Sequence, residues 1–410
     1  MNNKWTRAAI PALLIHMSIG TVYCWSIFKQ AIAEQIGMST FAVGWAFSLA
    51  IFFLGASAAF AGRFIEKDIH TSSLISCVYF SIGMIGTGIV LMLYEGIIAL
   101  IGIYLCFGVI MGIGLGIGYL TPVKTLMLWF KDNKGFATGI SIMGFGLAKA
   151  IASPIMLFLQ QRFGIAGMFI ILGFFYCGMM YIGHLLLKKP DDWTEPAFKK
   201  TENQFAIFKD KTFLGIWLMF YINIHCGLMI IAYERQILNV FFSTSALLPS
   251  LIAIVPSLTA GANALGRIGY SAISDKLAQR NYIYKIIFIS SILAAMCAYF
   301  CSAYQFGLVI TGIIIILFLL ITNAGYGGGF STLPALLSER FGMKKISTIH
   351  GCALSAWAVA GLTGNNLSEI ILKNTNNDYS SVFYISVIFY LIAFGACCLI
   401  VKNKEKEVEA

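Results

Sequence analysis

Apolar runs of about 20 residues or more recur along almost the whole chain, separated by short polar segments. Each is long enough to cross roughly 30 Å of hydrocarbon as a helix. Twelve are predicted, over 8–33, 41–61, 73–93, 98–121, 136–160, 165–187, 212–238, 246–272, 282–303, 306–335, 346–372 and 379–401. The first follows the segment MNNKWTR, exceeds a signal-peptide core in length and lacks a small-residue cleavage site, so it is expected to stay as a helix.

Composition agrees with this pattern. Of 410 residues, 59% are hydrophobic and 11% are charged, against roughly 25% charged in a soluble domain. The expected fold class is therefore all-α and integral to the membrane, with the lipid bilayer as a partner. Twelve spans put both termini on one side. The loops on that side carry 20 basic residues, from Lys4 and Arg7 to Lys404 and Lys406, whereas the opposite loops carry Lys29, Arg162 and Lys373. Positive loops face the cytoplasm, which predicts an inner (cytoplasmic) membrane protein with cytoplasmic termini. Topology thus accounts for the formal charge of +10, and no basic domain outside the membrane suggests a nucleic-acid partner. The ten cysteines, among them Cys24, Cys106, Cys226, Cys397 and Cys398, fall inside apolar runs without metal-ligand spacing and read as packing residues. No cofactor or metal is expected, no enzyme motif is present, and a monomer is sufficient.

The longest polar stretch, 188–211, divides six spans from six. The expected organisation is a first half at 1–187, a cytoplasmic linker at 188–211, a second half at 212–401 and a short tail at 402–410. A weak internal repeat supports it: GIGYLTPVKTLMLWFKDNKG (116–135) echoes GGGFSTLPALLSERFGMKKI (327–346), pairing Phe130 with Phe341 and Pro122 with Pro334. His16 to Tyr23 similarly echoes His225 to Tyr233. Two six-helix repeat halves related by an axis along the membrane normal are the major facilitator architecture, with a substrate site near the midplane between them.

Charges inside the spans point to that site. Lys285 is close enough to a span end to snorkel, and Lys124 is open to the same reading. Arg235 adjoins Glu234 toward the external end of the seventh span, as an external gate or a water-facing pair. Lys149 lies roughly 20 Å into its helix, and Arg267 is about two turns above Asp275. Cations so placed cost at least about 2.5 to 3.5 kcal/mol each and mark a ligand or a pathway unless an internal salt bridge holds them. Few acids are available within the spans, and an unpaired arginine offers a planar fork of donors that matches a carboxylate. The expected substrate is a small organic anion, enclosed by aromatic residues such as Tyr23, Trp25, Tyr119, Tyr326 and Phe330. The segments GRFIEKD (62–68) and SDKLAQR (274–280), with Asp275 and Lys276, are expected to hold a cytoplasmic lock.

Tyr23-x-Trp25, Gly118-Tyr119 before Trp129-Phe130 and KDNKG, Arg267 ahead of SDK (274–276), and GGGFSTLPALLSERFG (327–342) together resemble the oxalate/formate antiporter family of the major facilitator superfamily. The resemblance covers essentially the whole chain. It implies a dicarboxylate held by an arginine of helix eight, matched by Arg267, and a lysine of helix eleven, matched here by Trp357. The missing lysine favours a monoanion such as formate, acetate, lactate or pyruvate. Lys149, opposite Ala360 when the half-repeats are aligned, keeps an oxalate-type exchanger using Arg267 and Lys149 as the alternative.

Coupling is less determined. Helix one carries no acid in IGTVYCWSIF (19–28), and His16, His225 and His350 read as either packing residues or proton carriers. Anion exchange needs only that the empty carrier, with its cation unneutralised, reorient reluctantly. The expected function is secondary active transport of small organic anions by alternating access. A polyspecific exporter or a transporter-like anion sensor are the readings of another class.

Overall fold

The computed structural model describes residues 3–194, 203–243, 245–304 and 306–401. The tail 402–410 and the linker residues 195–202 lie outside them. The described residues are almost entirely helical, with no strand among them.

Twelve helical crossings are present among the described residues. The first half holds α1 (Trp5–Ile36), α2 (Thr40–Lys67), α3 (Ile69–Leu93), α4 (Gly96–Trp129), α5 (134–163) and α6 (165–186). The second half holds α7 (Lys211–Ile231), α8 (Leu248–Ser274), α9 (Asn281–Tyr304), α10 (Leu308–Phe341), α11 (Ile346–Asn374) and α12 (Tyr379–Leu399). Residues 134–186 run on as one helical stretch, which would measure about 80 Å if straight. Gly164, at φ 70° and ψ 174°, folds it into two crossings, a conformation that a side chain would strain.

Start signals in the sequence set several boundaries. Ser39 caps α2 by accepting from the Ala42 amide at 3.2 Å. Asp68, Asp210 and Asp378 do the same for α3, α7 and α12, each satisfying amides that have no partner inside their helix.

Three helices depart from a plain α-helix. α1 tightens to a 3-10 turn over Gly20–Cys24, and α4 widens to a π-helix over Tyr104–Met111. The seventh predicted span, 212–238, is interrupted. α7 stops at Ile231 and resumes as the short α7′ (Glu234–Phe242) after Tyr233, which sits at φ −112° and ψ 10°. Ala232 and Tyr233 themselves suit a membrane helix, but the polar run Glu234-Arg235-Gln236 that follows them marks the resumed segment. The interruptions of α1 and α7 fall at Tyr23 and Tyr233, the ends of the His16–Tyr23 and His225–Tyr233 echo.

The halves meet chiefly through α2 against α11 and α5 against α8. On the side of the termini these pairs are in backbone contact. A Cβ on Gly55 would lie 2.5 Å from the Leu354 carbonyl oxygen, and one on Gly62 would lie 2.7 Å from Thr348 Cα. Gly135 and Gly139 of α5 leave the same close fit against Ser271 of α8. Small residues permit this approach between membrane helices, and it seals the terminal side.

Candidate substrate site

Toward the opposite, distal side the halves separate around a cavity of about 810 Å³. Its charged wall residues are Lys29, Lys149, Glu234, Arg267 and Glu369.

Arg267 lies at its inner end. α8 carries the side chain inward, where it is 1% exposed. Its Nε donates to Asn263 Oδ1 at 2.9 Å, one turn earlier on the same helix, and Nη1 donates to the Ile142 carbonyl of α5 at 3.1 Å. The guanidinium lies 5.4 Å from the Phe330 ring centre and 6.0 Å from that of Phe145. Among the described residues no carboxylate pairs with it. Neutral acceptors hold the fork in place, ring faces attract the cation, and the full positive charge stays at the end of a water-accessible cavity. Such a group binds an anion bidentately with little rearrangement.

Tyr23 of α1 and Tyr326 of α10 join the halves through their hydroxyls at 3.2 Å, and both line the cavity. Tyr119, Phe330 and Trp357 are placed differently from the enclosing wall expected of them. They are fully buried beneath the cavity, with Phe330 and Trp357 centred 4.5 Å apart and Tyr119 5.5 Å from Trp357. With Phe145, centred 5.7 Å from Tyr119 and 5.8 Å from Trp357, they make an aromatic floor from α4, α5, α10 and α11. Trp25 borders the cavity, but its ring packs into the first half against Phe107, at 4.1 Å between centres.

Lys149 does reach the cavity. It is exposed there, and its Nζ donates to Ser26 Oγ at 3.2 Å. Glu234 also faces the cavity, accepting from the Thr259 hydroxyl at 2.6 Å. Arg235, its expected gate partner, is exposed and is not on the cavity wall. Adjacent residues on a helix point about 100° apart, so Glu234 and Arg235 face different surroundings.

The terminal side is closed by carboxylates on helix N-termini. Asp275 accepts from the Gly135 and Phe136 amides that begin α5, at 2.9 and 2.8 Å, and from Arg280 Nη1 at 2.7 Å. Its partner is thus Arg280, and Lys276 is exposed. Glu66 repeats the arrangement in the first half, accepting from the Ser347 amide that begins α11 at 2.6 Å and pairing with Lys124. Lys124 is buried and does not snorkel. Helix N-termini favour a carboxylate both through free amides and through the helix dipole.

His16 is fully hydrogen-bonded, to Ser141 Oγ at 2.5 Å and the Tyr119 carbonyl at 3.0 Å, and His225 bonds Thr363 Oγ1 at 2.9 Å. His350 lies under the floor beside Tyr119. Asn263 and Phe145 were not singled out in the sequence, whereas Glu66 lies in GRFIEKD (62–68), expected to hold the cytoplasmic lock. Asn263 was discoverable from its four-residue spacing to Arg267, whereas Phe145 is one phenylalanine of 33 with nothing to single it out.

Two helical halves around a charged cavity, open at one side and sealed at the other, define a membrane transporter and not an enzyme. The Major Facilitator Superfamily profile matches residues 12–365, and the chain belongs to that superfamily. Among curated proteins it is 22% identical to the oxalate:formate antiporter of Oxalobacter formigenes, over 100% of this chain and 94% of that one. It is also 22% identical to monocarboxylate transporter 12 of Rattus norvegicus, over 75% of this chain and 68% of that one. Among solved structures, a bacterial homologue of the iron transporter ferroportin in an outward-facing state has a TM-score of 0.76 at 12% identity, covering 96% of this chain and 98% of the other. That likeness shows the fold alone.

Proposed function

We propose that this protein carries small carboxylates across the membrane by alternating access, preferring monocarboxylates such as formate, acetate, lactate or pyruvate. The halves 1–187 and 212–401 would rock about the site, with 188–211 as their cytoplasmic linker. The observation that carries the proposal is Arg267, a buried cation held by neutral acceptors at the inner end of an open cavity. A carboxylate neutralises it, and Trp357, which stands where the resembled family has a second cation, leaves Arg267 as the one cation beside the aromatic floor among the described residues. The named substrates of the two curated relatives point to the same chemical class.

The basic loops support cytoplasmic termini, and in that orientation the cavity would face outward and the sealed side inward. The empty carrier holds an uncompensated buried charge that is costly to enclose. An anion removes that cost, which favours exchange of one anion for another. One chain contains the whole site, so a monomer suffices. Oxalate is the second reading, favoured by Lys149 on the same cavity wall.

Counterflow into proteoliposomes tests this, with labelled formate, acetate, lactate, pyruvate and oxalate, for the wild type beside Arg267→Gln. Monocarboxylate uptake lost in the variant is the expected result. Movement of none of these anions, or normal uptake by Arg267→Gln, would overturn it.

A further inference from the structure

The cavity walls are oppositely charged. The first half contributes Lys29 and Lys149, and the second half contributes Glu234 and Glu369 above the deeper Arg267. Glu369 already pairs with Lys373 on its own helix at 2.8 Å. Among the described residues the side chains of Lys149 and Glu234 have hydrogen bonds to Ser26 and Thr259 only, and neither has an ion-pair partner.

Helix register places these two at one level. α5 and α8 are antiparallel neighbours, joined at the terminal side where Gly135 N meets Asp275. They remain in contact through Gly139 beside Ser271 and Gly146 beside Arg267. Lys149 lies fifteen residues from the start of α5, and Thr259, which holds Glu234, lies fifteen from the end of α8. Both are therefore about 22 Å along their helices, just beyond the point where the pair splays apart. Lys149 is also the cation whose field acts on the Glu234 carboxylate.

We propose that Lys149 and Glu234 form the distal gate, exchanging Ser26 and Thr259 for each other as a cross-cavity ion pair whenever α5 and α8 close at the distal side, with or without a bound anion. The inference rests on the carrier reading above. Glu234 is suited to move, because it begins α7′ immediately after the break at Ala232 and Tyr233. In the open cavity water screens the two charges. Closure expels that water, so their attraction strengthens as the gap narrows. Lys149 thereby serves the gate and not the anion.

A charge swap tests the pair. Lys149→Glu and Glu234→Lys are each expected to slow anion counterflow about tenfold or more, and the double swap to recover to within about threefold of the wild type. A second readout needs no transported substrate. A cysteine at Ser257, exposed on the cavity wall, is labelled with an impermeant maleimide, with Ser257 intact as the background control. Slower labelling in the wild type than in either single variant, regained in the swap, is expected. Equal labelling in all four proteins overturns the gate, even if the carboxylate reading itself has failed. A swap no better than its worse single variant also overturns it. So does tenfold weaker anion binding by Lys149→Gln with normal counterflow in Glu234→Gln, an outcome that makes Lys149 an anion ligand.

Discussion

Arg267 donates its Nε hydrogen to Asn263 Oδ1 at 2.9 Å, so the cation's neighbour one turn away is an amide and not a carboxylate. An amide fixes the orientation of the fork without cancelling its charge. Asn263→Asp would keep the hydrogen bond and supply an internal counter-ion at the same position. The apparent affinity for formate, read from the saturation of counterflow, is expected to fall tenfold or more, which corresponds to about 1.4 kcal/mol. Unchanged affinity would mean that the anion does not depend on the free charge of Arg267.

Glu66 and Lys124 make a different kind of pair, buried between α2 and α4 while the same carboxylate receives the start of α11. Removing one partner of a buried pair leaves the other charge uncompensated and costs up to about 3 to 5 kcal/mol. Lys124→Met is thus expected to lower thermal stability in detergent. Since α11 belongs to the other half, Glu66→Gln is expected to loosen the inner seal as well as lower stability. Faster labelling of a terminal-side cysteine at Thr348 would report that loosening; an unchanged rate would restrict Glu66 to a packing role.

Gly55 is pressed against Leu354 and Ala358, with a Cβ position 2.5 Å from one carbonyl oxygen and 2.7 Å from the Ala358 Cβ. Backbone cannot yield there as a flexible side chain could. Gly55→Leu is expected to separate α2 from α11 and hold the inner side apart, cutting counterflow at least about tenfold, since overpacking costs typically 1–3 kcal/mol. Gly37→Leu is a poor control because its φ of 67° adds strain. Gly178, where an added Cβ meets nothing within 4 Å, is the proper one, and Gly178→Leu is expected to transport normally.

The sequence exposed the parts of this molecule that depend on solvent. Lipid demands long apolar runs, so the twelve crossings were legible, and a charge in such a run is costly, so Arg267 and Lys149 were conspicuous. It did not reveal how elements from distant parts of the chain meet. The α7 break at Ala232 and Tyr233 precedes the charges Glu234 and Arg235, which mark a change of surroundings but not a break in the backbone. Glu66 stood within the expected lock segment GRFIEKD (62–68), but its partner at the start of α11 was not legible. The aromatic residues near Arg267 were recognisable as a group, but only packing separates Tyr23 and Tyr326 on the wall from Tyr119, Phe330 and Trp357 in the floor. Partner choice was equally hidden: Asp275 has Lys276 next to it in the chain and Arg280 next to it in space.

Trp357 offers the sharpest test of what selects the anion. Its ring is 4.5 Å from Phe330, and Phe330 in turn lies under the guanidinium. Trp357→Lys would replace part of the floor by a second cation near the first, with a smaller side chain leaving room for it. A lysine in a membrane interior costs about 2.5 to 3.5 kcal/mol, which a doubly charged substrate would offset by neutralising both cations at once. Oxalate is therefore expected to gain as a competitor of labelled formate in this variant, by tenfold or more relative to acetate. Stability is expected to fall without oxalate and to recover in its presence, because a ligand that binds only the folded state raises its melting temperature. If the variant folds and oxalate gains nothing over acetate, the number of cations beside Arg267 does not set the choice between one carboxylate and two.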